Sequence, residues 1–124
     1  MTSLDDICRI GPIYGLGKGR DARKLAAAVD LFRSENPPSV EDIVASVKSI
    51  DGCADGWMQW SDDKRWSQAW YFTDNGDDTY LVVMSDGADS HEHVFDDLHL
   101  ACAHFIIKDV EDYGRILDAR RGES

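Results

Sequence analysis

The chain has 124 residues, 43% of them hydrophobic and 30% charged, with a formal net charge of −11. That length can bury about two-thirds of the surface an unfolded chain exposes, and the composition is too apolar for intrinsic disorder. A field of this sign repels nucleic acid and anionic lipid, and it attracts basic proteins or metal ions.

The charge is unevenly spread. Residues 41–112 hold 17 acids against four bases, whereas residues 1–40 hold five acids and six bases. No run approaches the length of a membrane span, and "MTSLDDICRI" has acids where a signal peptide has basic residues and an apolar core. A cytoplasmic protein of one domain, residues 1–124, is expected. Cys8, Cys53 and Cys102 are widely spaced and form no CxxC pair, which points to buried free thiols rather than disulfides or zinc.

In chain order, "LDDICRIGPIYGLGKGR" sets Ile7, Ile10 and Ile13 among glycines and a proline, which predicts a short extended segment or loop. Asp21 is placed to cap a helix over "ARKLAAAVDLFRSE", with Leu25, Ala28, Val29 and Phe32 on one face, and "NPP" ends it. Ser39 caps a second helix that buries Val40, Ile43, Val44, Val47 and Ile50, with Glu41 and Asp42 in its first turn. After Gly52 aromatic and β-branched residues predict strands: "WMQW", then "WSQAWYF" and "YLVVM" joined by "TDNGDDT", where Asn75 and Gly76 accept positive φ. Trp66, Gln68, Trp70 and Phe72 share one side of the first hairpin strand, and Tyr80, Val82 and Met84 alternate with Leu81 and Val83 in the second. From Val94 the helical period returns, with Phe95, Leu98, Cys102 and Phe105 in one stripe and Asp96 and Asp97 in the first turn. A last helix carrying Val110, Tyr113, Ile116 and Leu117 either continues this one or restarts at Asp109. The order predicts an α+β fold: a small antiparallel sheet with a tryptophan-rich hairpin packed against three or four helices.

No catalytic signature emerges. In "GPIYGLGKGRD", Gly11 is followed after four residues by Leu16 and Lys18 is followed by Gly19, so a Walker loop is not formed. Gly15 and Gly17 begin a dinucleotide fingerprint, but Arg20 stands where its third glycine belongs. The segment reads as a loop with Lys18, Arg20, Arg23 and Lys24 as a solvated basic rim. Asp86, Asp89, His91 and His93 crowd one short stretch, with both histidines on one side of an extended segment, and they give the alternative of a metal-binding domain or metal-dependent enzyme. The pattern is not HExxH, His99 and His104 do not share a helix face, and "DNGDD" lacks the closing glutamate of a calcium loop, so no metal or cofactor is assigned. Cys102 falls on an apolar stripe away from His104, and paired acids such as Asp62 and Asp63 are too common here to mark acid–base catalysis.

Trp57, Trp60, Trp66 and Trp70 lie among Asp55, Asp62 and Asp63. Trp66 and Trp70 share parity with Phe72 and read as sheet core; Trp57 and Trp60 do not alternate together and read as surface aromatics. Tryptophan flanked by carboxylates suits an interface with a basic protein, with aromatics for anchoring and acids for steering. An acidic α+β chain of this size, with a tryptophan-rich hairpin and no catalytic motif, resembles the immunity proteins of bacterial contact-dependent growth inhibition and other polymorphic toxin systems. That resemblance implies a non-enzymatic antidote that binds a toxin domain, commonly a basic nuclease. The expected contact residues are Asp62, Asp63, Asp74, Asp77 and Asp78, with Trp57 and Trp60 as anchors. An adaptor or regulatory subunit is the remaining alternative.

Overall fold

The computed structural model describes residues 3–14, 22–62, 69–85 and 90–122. Six helices and three strands occur among them: α1 (Leu4–Cys8), α2 (Ile10–Ile13), α3 (Ala22–Phe32), α4 (Val40–Ser49), α5 (Cys53–Asp62), β1 (Ala69–Asp74), β2 (Tyr80–Ser85), β3 (Ser90–Phe95) and α6 (Leu98–Gly122). The fold is α+β, with an antiparallel sheet in the order β1-β2-β3. No helix among the described residues is long and apolar enough to cross a membrane.

From Leu4 to Ile13 the first segment is helical, not extended, and its remainder with Lys18 and Arg20 lies outside the described residues. Ser3 and Asp6 form a reciprocal capping box, each side chain accepting from the other's backbone N–H (3.1 and 3.2 Å), and this local satisfaction outweighs the helix-breaking composition. The same device starts α4, where Ser39 and Asp42 exchange bonds of 3.1 Å. The α3 and α4 faces fold as their spacing predicts, with Leu25, Ala28, Val29, Ile43, Val47 and Ile50 buried. The expected Asp21 cap lies outside the described residues.

The "WMQW" strand is a correction: it is the middle of α5. Cys53, Ala54, Trp57, Trp60 and Ser61 are all buried, at positions i, i+1, i+4, i+7 and i+8 of one helical face. The Trp57 Nε1–H donates to the Cys8 carbonyl (2.8 Å), and its ring meets Trp60 and Phe105 edge-on at 5.5 and 6.0 Å. Phe105 in turn stacks on Phe72 of β1 (5.7 Å), so one aromatic chain ties α5, α6 and the sheet together. The three cysteines are free and buried, and burial pushes the Cys8 thiol up to about 11 and Cys102 well above its usual value.

The second correction concerns residues 90–97. Val94 and Phe95 belong to β3, and the helix begins at Leu98, because Asp97 is its N-cap and accepts from the N–H groups of His99 (2.9 Å) and Leu100 (3.1 Å). From there α6 runs unbroken for 25 residues through Asp109. It packs against α3 and α4 as well as the sheet, and so buries Ala101, Cys102, Ala103, Phe105 and Ile106 around much of its circumference.

Where β1 borders α5, Ser61 takes the place of a fourth strand. Its hydroxyl accepts from the Phe72 N–H (3.2 Å) and lies 3.0 Å from the carbonyl oxygens of Phe72 and Met58, to either of which it donates. Ser61→Ala leaves both Phe72 backbone groups buried without this partner. A loss of about 1–3 kcal/mol is expected in urea denaturation, with the helical circular dichroism retained; unchanged stability would show that the hydroxyl is dispensable.

Candidate functional surface

Among the described residues the strand layer has one face covered by helices and one open face. Pairing aligns Phe72, Val82 and His93 across the sheet, and Phe72 and Val82 are fully buried against the helices. The adjacent rows, Tyr71–Val83–Glu92 and Thr73–Leu81–Val94, alternate to the opposite face. There Tyr71, Leu81 and Val83 are half-buried, Thr73 and Glu92 are exposed, and Val94 is 62% exposed. Apolar side chains in the middle of an otherwise polar face are the composition of a protein contact surface.

The acids gather at one end of this face. The alignment of Asp74, Tyr80 and Phe95 places the β1–β2 turn beside the end of β3, so Asp74, Asp77 and Asp78 share that end with Asp96 and Asp97. From Ala69 to Asp97 the sequence carries eight acids and neither lysine nor arginine. Arg23 and Lys24 of the expected basic rim stand on α3, which packs against α1 and α6.

The turn is held by its own polar groups. Asp74 Oδ1 accepts from the Gly76 N–H (2.8 Å), Asp77 Oδ1 from the Thr79 N–H (3.2 Å) and from the Thr79 hydroxyl, and Asn75 Nδ2 donates to Thr79 Oγ1 (3.1 Å). Positive φ falls on Gly76 (85°) and Asp78 (65°), not on Asn75; aspartate tolerates that region better than most side chains. The Thr79 hydroxyl and backbone hold the Asp77 carboxyl below its ordinary value. Asp77 is therefore ionised over the whole neutral range, and the turn presents its charges from a fixed backbone.

The expected contact residues divide. Asp62 is exposed and follows Ser61, so it emerges beside the β1 edge, and Asp74, Asp77 and Asp78 are exposed at the turn. Asp63 and Trp66 lie outside the described residues. Trp57 and Trp60 cannot serve as surface anchors: they are 0% and 2% exposed, because their spacing of three places both on the buried face of α5. The Trp60 Nε1–H donates to Asp109 (3.1 Å), so even its polar edge is engaged inside. The apolar centre that sequence reasoning missed is Leu81, Val83 and Val94, and Glu92, Asp96 and Asp97 extend the acidic set. Alternation in the second hairpin strand sets Leu81 and Val83 apart from Val82, and alternation along residues 90–95 is the signal that could have added Glu92 and Val94 to their face.

Asp86 and Asp89 also fall outside the described residues. His91 and His93 lie two apart on β3, and the His93 ring stacks on Trp70 (6.2 Å), with Lys108 Nζ 5.6 Å from the Trp70 ring. Among the described residues no group of three or more histidine, cysteine or acidic side chains is placed to hold a metal ion. Comparison with protein-family models, with curated proteins and with solved structures finds no match for this chain.

Proposed function

We propose that the protein is an immunity protein: a cytoplasmic antidote that binds the toxin domain of a polymorphic toxin system and blocks it, the toxin being a basic nuclease. The observation that carries this reading is the strand layer, an open face with an apolar centre, carboxylates massed at one end, and no lysine or arginine from Ala69 to Asp97. A nuclease cleft built for phosphates is cationic, and such a surface meets it with complementary charge and a desolvating patch. Copurification with a candidate basic nuclease toxin domain, and inhibition of its nuclease activity at equimolar ratio, test the proposal. Absence of both rejects it.

Within that complex, Asp77→Asn and Asp78→Asn together remove two charges while keeping side-chain oxygens for the turn and tolerance of positive φ. Association at low salt is expected to slow about three- to tenfold, with dissociation changed less and the difference shrinking as salt is added. Stopped-flow kinetics at two ionic strengths measures this, and equal association rates would remove the turn from the steering surface.

A further inference from the structure

The two borders of the sheet are treated differently. At β1 the Phe72 N–H and C=O point away from β2, since they meet Ser61. Phe72 and Val82 are therefore a non-hydrogen-bonded pair, Val82 and His93 exchange bonds, and the backbone groups of Glu92 and Val94 point outward from β3. Both residues are exposed, and nothing among the described residues pairs with that border. Exposed edges are ordinarily guarded by charged side chains, lysine above all, or by proline, a bulge or a covering element, and this one carries a single acid, Glu92. "SHEHVF" has no lysine or proline, and its register with β2 runs without a bulge from Ser90 to Phe95.

We infer that the outer edge of β3 is a strand-addition site, and that its occupant is an extended, lysine- or arginine-bearing segment of the partner, paired to the backbone of Glu92 and Val94. The basic class of the segment rests on the antidote reading; the edge itself does not. Charge selects the occupant. A second copy of this chain would set Glu92, Asp96 and Asp97 against the same acids, and like charges facing each other across strands repel. A segment with a basic and a β-branched residue two apart, on one face of its strand, instead sets the cation beside Glu92 and the apolar side chain beside Val94, which share a sheet face, while main-chain bonds supply register.

The test uses the whole protein, labelled with nitrogen-15, and two short peptides in which every second residue is threonine and the positions between alternate valine with lysine in one peptide and valine with glutamate in the other. The lysine peptide is expected to shift the amide signals of Glu92 and Val94, and the glutamate peptide to leave them in place. Val94→Pro removes an outward N–H without touching the β2–β3 ladder, a position where edge strands accept proline. It should weaken the lysine peptide about tenfold, the equivalent of one or two backbone bonds. Val94→Lys keeps every ladder bond and repels the same peptide, so it tests the edge even where the proline variant loses its strand. Shifts confined to Asp74–Asp78, or β3 shifts that survive in both variants, overturn the inference. Growth rescue that succeeds while β3 stays unperturbed leaves the antidote reading and removes the edge; β3 binding without rescue does the reverse.

Discussion

Gly56→Ala is expected to lower stability by about 3 kcal/mol, near 10 °C in melting temperature, although alanine is intrinsically the better helix residue by about 1 kcal/mol. A methyl on Gly56 would stand 2.5 Å from the Pro12 nitrogen, 2.6 Å from its Cα and 2.9 Å from the Gly11 carbonyl carbon. Those atoms are backbone and cannot rotate away. Gly11 faces the same seam from the other side, where its own Cβ would lie 2.7 Å from the Trp57 ring. The two glycines let α2 and α5 touch backbone to backbone, and the added methyl must push α2 off the helix carrying both buried tryptophans. A thermal melt equal to or above the parent's would mean that α2 adjusts freely and that this contact carries no stability.

Trp57→Ala should cost about 4 kcal/mol, since a fully buried indole leaves a cavity and the Cys8 carbonyl keeps only the weaker Cys53 thiol donor (3.4 Å). Trp57→Phe is the more informative variant. It keeps most of the ring contact with Trp60 and Phe105, loses the bond to Cys8, and is expected to lower stability by about 1–3 kcal/mol. Urea denaturation measures that loss, and binding to the proposed toxin domain by the folded fraction should be unchanged. The opposite pattern, full stability with weakened binding, is what a surface anchor would give and would contradict the placement of Trp57 in the core.

Much of the architecture is legible in the residues. The helical faces of α3 and α4, the Ser39 cap, the hairpin and the stripe around Cys102 and Phe105 all follow from local spacing, because in those segments the buried face and the intrinsic preference agree. α5 is misread because tryptophan and glycine argue for strand and turn, while the positions that matter, Cys53, Ala54, Trp57, Trp60 and Ser61, repeat with helical period. Gly11 looks like part of a phosphate loop, yet it is glycine because Trp57 lies against it. Such long-range contacts leave no local trace. β3 escapes for a different reason: histidine, glutamate and serine have weak strand preference, and only pairing with β2 fixes the alternation. The acidic turn was visible from charge alone, but the open face beside it required the register that brings Val83 and Leu81 next to Glu92 and Val94.

Growth rescue tests the central claim most directly. The proposed toxin domain is expressed under control in cells with and without the protein, and with the Asp77→Asn, Asp78→Asn and Val94→Pro changes combined. Arrest without the protein, growth with it, and partial or lost rescue by the combined variant at equal folded abundance are the predicted results. Arrest that the parent protein does not relieve would contradict the antidote reading, and full rescue by the combined variant would contradict the strand layer as the surface that delivers it.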